Sequence, residues 1–119
     1  MYSEQLLDHF QNPRNSGEIA DADAIAEVEN PVCGDVLRIT LKTSAGKIAR
    51  MQFKAKGCVA SIACASALTE LADGKSIDQA RKLQPGDICT AVGGLPPAST
   101  HAAQLAVDAL SLALARLKR

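Results

Sequence analysis

The sequence contains no tryptophan, and its only aromatic side chains are Tyr2, Phe10 and Phe53. That scarcity argues against nucleic acid as a partner, because single-stranded sites are built on aromatic stacking platforms. No run of about 18 apolar residues occurs, so no segment is expected to span a membrane. Met1 to Asn15 is polar and has no basic region followed by an apolar stretch. A secretory signal is therefore not expected, and the acids in this stretch argue against a transit peptide. No Cys-x-x-Cys pair is present, which removes the usual signature of a structural zinc site.

There is also no net charge, since 13 basic residues balance 13 acidic ones. The balance is not local. Residues 1–35 carry −7 and residues 36–119 carry +7. Arg38, Lys42, Lys47, Arg50, Lys54 and Lys56 lie close together in the basic part. They form either a solvated sheet face or a docking surface for an acidic partner.

At 119 residues, 47% hydrophobic and 22% charged, the chain is expected to be one domain spanning 1–119. A chain of this length buries roughly two thirds of its unfolded surface. The core has to come from Ala, Leu, Ile and Val.

Residues 2–11 read as a short helix with Leu6, Leu7 and Phe10 on one side and Ser3 as its cap. Asn12 to Gly17 is a loop. Residues 24–29 and 35–43 alternate as strands, the second with Leu37, Ile39 and Leu41 inward and Arg38, Thr40 and Lys42 outward. Ser44-Ala45-Gly46 is a hairpin turn. A third strand over 47–56 places Ala49, Met51, Phe53 and Ala55 on one face. Residues 59–72 turn helical and Ala-rich. Ser76 to Gln79 is a capping box opening a short helix to about Leu83. Residues 85–91 form a further short helix or turn, and 98–117 a long helix with Arg116, Lys118 and Arg119 at its C-terminus, where the dipole favours them. The expected class is α+β: an antiparallel sheet of these three strands with one wet face, followed by helices of which the C-terminal one is long.

Four cysteines, Cys33, Cys58, Cys64 and Cys89, punctuate this pattern. With no secretory signal the expected setting is cytoplasmic, where thiols stay reduced and serve metal or redox chemistry rather than disulfides. Cys33 and Asp35 flank Gly34 in the turn before the second strand, so a thiolate and a carboxylate can aim at one ion; the alternative is an ordinary turn. Cys58 follows Gly57 where strand becomes helix, and a helix N-terminus favours the thiolate that binds zinc or iron. The alternative is a small hydrophobe filling a tight corner. His101 opens the long helix as a metal ligand or as a surface capping residue. Cys64 does not share a face with Cys58 and reads as core. Cys89 is either partly buried or a spare thiol within reach of the site. Cys33, Asp35, Cys58 and His101 together make a mixed sulfur, oxygen and nitrogen set, suited to an exchangeable metal more than to a permanent cage.

The chain resembles the IscU/NifU-type iron–sulfur cluster assembly scaffolds over nearly its whole length. The resemblance rests on Tyr2-Ser3-Glu4, Asp8-His9-Phe10, Asn12-Pro13-Arg14-Asn15 and Gly17. It continues through Asn30-Pro31-Val32-Cys33-Gly34-Asp35, Gly57-Cys58, Ala67-Leu68-Thr69-Glu70, Gly74-Lys75-Ser76, Leu95-Pro96-Pro97 and His101. It implies a three-stranded antiparallel sheet with helices packed on one face, and that Cys33, Asp35 and Cys58 converge at one exposed end. It also implies sulfur supply by a cysteine desulfurase, assembly of a [2Fe–2S] cluster and transfer to acceptor proteins, with zinc as an alternative occupant. Two departures stand out. The family's histidine is followed by a cysteine, a cluster ligand and main sulfur acceptor, whereas His101 is followed by Ala102. The family's Leu-Pro-Pro-Val-Lys, read by an Hsp70-type chaperone, is here Leu95-Pro96-Pro97-Ala98-Ser99. Histidine can replace cysteine on iron, as in Rieske centres.

The expected function is a scaffold or carrier for iron or a [2Fe–2S] cluster, rather than a turnover enzyme. The alternatives are a zinc-binding sulfur acceptor working with a desulfurase and a regulatory paralogue that builds no cluster. The basic sheet residues and the N-terminal segment are candidates for partner docking.

Overall fold

The computed structural model describes residues 2–31 and 34–117. The elements run α1 (Glu4–Gln11), β1 (Ala24–Asn30), β2 (Asp35–Ser44), β3 (Lys47–Lys56), α2 (Val59–Ala72), α3 (Ile77–Ala80), α4 (Pro85–Ala91) and α5 (His101–Ala115), with a 3-10 turn at Pro97–Ser99. The three strands form one antiparallel sheet in the order β1-β2-β3. The two residues between β2 and β3, Ala45 and Gly46, both have positive φ (52° and 77°). That geometry matches the right-handed twist of paired strands and makes a tight hairpin.

One face of the sheet is apolar and dry. Ala24, Ala26, Leu37, Ile39, Leu41, Met51 and Phe53 are all buried there. α5 lies over β1 and β2, α2 over β3, and the two helices pack against each other. α1 and α4 complete the layer by packing on these helices. The expected α+β architecture is therefore present, with its helices on one face. α2 is surrounded on nearly all sides, with ten of its fourteen residues buried. Its Ala and Ser residues let neighbouring elements approach closely. Its buried hydroxyls all find partners, and among the described residues no buried side-chain polar atom lacks one.

Four expectations for the sheet and the later helices change. Alternation in β3 breaks at a bulge, where Lys42 pairs with Arg50 but Thr43 pairs with Ile48. The extra residue turns Ala49 outward and buries Ile48, because strand side chains alternate with a period of two. Thr40 faces outward yet is buried, since residues 17–23 cross the outer face and the Ile19 amide donates to Thr40 Oγ1 (3.1 Å). The third helix stops at Ala80 and relaxes into tighter turns through Leu83. The long helix begins at His101, because the Ser99 amide bonds the Pro96 carbonyl in a 3-10 turn first.

The crossing segment is acidic and lies along the basic row. Glu18 pairs with Arg38 (2.8 Å), and Asp21 and Asp23 pair with Lys42 (3.3 and 3.6 Å). Part of the charge asymmetry is thus neutralised inside the chain. Lys54 and Lys56 remain exposed, with no ion pair among the described residues.

In α1, Ser3 caps the helix by accepting from the Leu6 amide (3.0 Å), and its hydroxyl donates to the Val92 carbonyl. Leu6 is buried, but the second buried residue is His9, not Leu7, which is exposed. His9 Nδ1 lies 2.8 Å from Ser66 Oγ on α2, and Nε2 lies 3.8 Å from Glu70. Arg14 reinforces the joint through Asp8 (2.6 Å) and Glu70 (3.6 Å).

Burial holds the His9 pKa below its ordinary value of 6.5; Arg14 acts in the same direction, and Glu70 and Asp8 oppose it. The unfolded chain therefore takes up a proton at higher pH than the folded one, and stability falls as pH drops through 6.5 towards the folded value. Melting temperature should decline between about pH 7 and pH 5, with hydrogen exchange in α1 rising first. His9→Gln should flatten this part of the profile. An unchanged slope in that variant would show that His9 does not carry it.

Candidate metal centre

The site is built where three chain segments end at one side of the molecule. Asp35 begins β2, just after Gly34 (φ 73°), whose amide closes a turn on the Asn30 carbonyl (2.7 Å). Cys58 is the N-cap residue of α2 and follows Gly57 (φ 147°). His101 is the first residue of α5. Cys33 lies outside the described residues.

Cys58 does not cap α2 with its own side chain. Asp35 reaches the start of the helix from the neighbouring strand instead. Its Oδ1 accepts from the Cys58 amide (3.1 Å), and its Oδ2 accepts from the Ser61 hydroxyl (2.7 Å). An anionic acceptor is favoured at a helix N-terminus by the free amides and the dipole. The arrangement needs Gly57 to be a glycine, because a Cβ there would sit 2.1 Å from Asp35 Oδ1.

The same Oδ2 is the meeting point of the other donors. It lies 3.6 Å from Cys58 Sγ and 3.4 Å from His101 Nε2. Donor atoms of Asp35, Cys58 and His101 all fall within 4.8 Å of one another. Around a tetrahedral zinc-sized ion, ordinary bond lengths give sulfur–oxygen and nitrogen–oxygen edges of about 3.5 and about 3.3 Å. The two edges that meet at Asp35 Oδ2 already stand close to those separations.

Asp35 is almost wholly buried, whereas Cys58 and His101 are half-buried. Burial alone would raise the Asp35 carboxyl. Hydrogen bonds from Ser61, the Cys58 amide, His101 and the Cys58 thiol outweigh it and hold the group below the ordinary carboxylate value. The donor set therefore presents an anion. Beside His101 a depression of about 220 Å³ opens to the surface, lined by Glu29, Asn30, Pro31, Gln104, Leu105 and Asp108.

The remaining thiols are elsewhere. Cys64 is fully buried, and its pKa is pushed up to about 12, mainly by burial and further by the nearby Cys89 and Cys58. It is core, as expected. Cys89 is half-buried in a small groove with Pro85, Gly86, Leu95, Thr100 and Ala103, outside the three-residue donor group. Ala102 is buried in the core of α5. The structure brings the sequence candidates Asp35, Cys58 and His101 together and adds Ser61, which the sequence reading missed. Its signal was a hydroxyl three positions after Cys58, hidden within an Ala/Ser-rich helix.

Comparison with known proteins follows the same line. Residues 1–119 match the family model described as the NifU-like N terminal domain. The iron–sulfur cluster assembly scaffold protein IscU 1 of Archaeoglobus fulgidus is 46% identical over 114 residues, covering 96% of this chain and 74% of that protein. The scaffold protein IscU of Escherichia coli is 39% identical over 121 residues, covering 98% and 94%. The N-terminal part of a nitrogen-fixing NifU-like protein from Brucella abortus shares the fold, with a TM-score of 0.77 at 20% identity over 97% of this chain and 92% of that one. The chain belongs to the NifU-like N-terminal domain family, alongside the IscU iron–sulfur cluster assembly scaffold proteins.

Proposed function

We propose that the chain is a scaffold that takes up iron and sulfide as cargo, holds a [2Fe–2S] unit and passes it to acceptor proteins. The observation that carries this reading is the convergence of Asp35 Oδ2, Cys58 Sγ and His101 Nε2 at metal-site separations. Cys33, two residues before Asp35 in the sequence, is the fourth ligand in this reading. The scaffold names of the relatives set it ahead of a zinc-dependent sulfur acceptor and of a regulatory paralogue.

The donor chemistry suits a carrier. Two thiolates hold soft iron–sulfur units firmly. A carboxylate is a hard ligand and an imidazole an intermediate one, so both release such units more readily. Replacing the family's third cysteine with Ala102 removes another strong bond. The expected consequence is a cluster that assembles but transfers or decays quickly. Zinc, content with mixed tetrahedral donors, fits the same residues. A cysteine desulfurase is the proposed sulfur donor, and the exposed Lys54 and Lys56 are proposed for contact with acidic partner surfaces. Without the family's lysine after Leu95-Pro96-Pro97, we assign no chaperone contact to that segment. The proposed setting is the cytoplasm, because the thiols work only when reduced. Among the described residues no helix is long and apolar enough to cross a membrane.

Anaerobic addition of ferrous iron and sulfide should produce a visible charge-transfer spectrum. It should be lost in Cys58→Ser and in Cys33→Ser and kept in Cys89→Ser. A colourless wild-type protein would contradict the scaffold reading, and dependence on Cys89 would contradict the ligand assignment. Gly57→Ala should also fail to assemble a cluster, since the new Cβ displaces Asp35. It should cost about 1–3 kcal/mol of stability, because non-glycine residues at such φ are strained. Thermal unfolding and iron content would check both effects.

A further inference from the structure

We infer that Ser61 is a positioning residue for the metal centre, acting through Asp35. The inference rests on the proposed ligand role of Asp35. Ser61 sits in the first turn of α2 and is buried. Its hydroxyl is 2.7 Å from Asp35 Oδ2, the oxygen that also stands 3.4 Å from His101 Nε2 and 3.6 Å from Cys58 Sγ. Its Oγ is 3.3 Å from Cys58 Sγ as well. One side chain thus touches two of the donors.

A carboxylate oxygen has two lone-pair directions. Ser61 takes one of those of Oδ2 from the protein side. The Cys58 amide fixes Oδ1. The carboxylate is then pinned at both oxygens, with the remaining direction of Oδ2 turned towards Cys58 Sγ and His101 Nε2, the side on which an ion would bind. Without the hydroxyl, rotation about the Cβ–Cγ bond is held by Oδ1 alone, and Oδ2 is free to leave the tetrahedral edge it shares with sulfur and nitrogen. Hydrogen-bond partners that orient metal ligands in this way affect metal affinity by about 10- to 100-fold.

The test uses the full chain and Zn²⁺ or Co²⁺ as the probe, without sulfide. Competition with a chromogenic chelator gives the Zn²⁺ affinity of the wild type, Ser61→Ala, Asp35→Ala and the double variant. Co²⁺ absorption reports the ligand set, and thermal unfolding of the metal-free proteins confirms folding. Ser61→Ala should weaken Zn²⁺ binding by about 10- to 100-fold and alter the Co²⁺ ligand-field bands. In the Asp35→Ala background it should have almost no further effect. Full additivity of the two substitutions, or an unchanged affinity in Ser61→Ala while Asp35→Ala binds weakly, would overturn the inference alone. An unchanged affinity in Asp35→Ala would instead remove the ligand assignment on which it rests. If Ser61→Ala unfolds, Ser61→Thr and Ser61→Cys provide the comparison, with the threonine hydroxyl expected to restore binding and the thiol not.

Discussion

The Asp35 carboxylate sits in the notch left by the missing side chain of Gly57, bound to the Cys58 amide and the Ser61 hydroxyl at the start of α2. This contact joins the beginning of β2 to the end of β3 and the helix that follows. It completes the N-terminus of a helix that has no cap from its own N-cap side chain. It also sets the oxygen around which Cys58 and His101 gather. In the proposed scaffold role, stability and metal chemistry would therefore draw on the same carboxylate. The structure holds it with hydrogen bonds from the Ser61 hydroxyl, the Cys58 amide, His101 and the Cys58 thiol, so that in the proposed role an ion would take the place of the last two rather than create the arrangement from nothing.

The rest of the fold serves to bring this end together. The hairpin fixes the register of β2 against β3, so that Val36 pairs with Lys56 and the two strands finish side by side. α2 then leaves directly from that end, while α5 lies across β1 and β2 with His101 as its first residue. The N-terminal helix is held to the far side of α2 by buried polar contacts from His9 to Ser66 and by Arg14 bridging Asp8 and Glu70. Such a joint is more sensitive to pH and salt than an apolar one. The acidic segment across the outer face fixes Arg38 and Lys42 internally and leaves the basic residues nearer the site, Lys54 and Lys56, to solvent.

Much of this was legible in the sequence, for physical reasons that differ by element. Alternation over Leu37, Ile39 and Leu41 is a strong signal because only one face of the sheet is dry. The capping box at Ser76 and Gln79 is local, so a stretch of four residues suffices to define it. What failed depends on contacts distant in the chain. Ile48 and Ala49 exchange faces because of a bulge set by the pairing to Lys42 and Thr43. Thr40 is buried by a crossing segment some twenty residues earlier. His9 is buried because Ser66, on another helix, offers it a partner. At the site, residue type and position made Asp35, Cys58 and His101 candidates beside ordinary structural alternatives, and the family resemblance favoured the ligand reading. Ser61 and the steric role of Gly57 were not identifiable, because their meaning lies in where Asp35 points.

The central claim is a mixed donor set in which no third thiolate replaces the cysteine absent at Ala102. X-ray absorption at the metal edge of the protein loaded with one equivalent of Zn²⁺ reads that set directly. Two sulfur and two nitrogen or oxygen neighbours are expected, from Cys33, Cys58, Asp35 and His101. A third sulfur would mean that Cys89 or Cys64 is recruited and that the arrangement of Asp35, Cys58 and His101 does not set the ligands. A shell without sulfur would contradict the metal centre altogether.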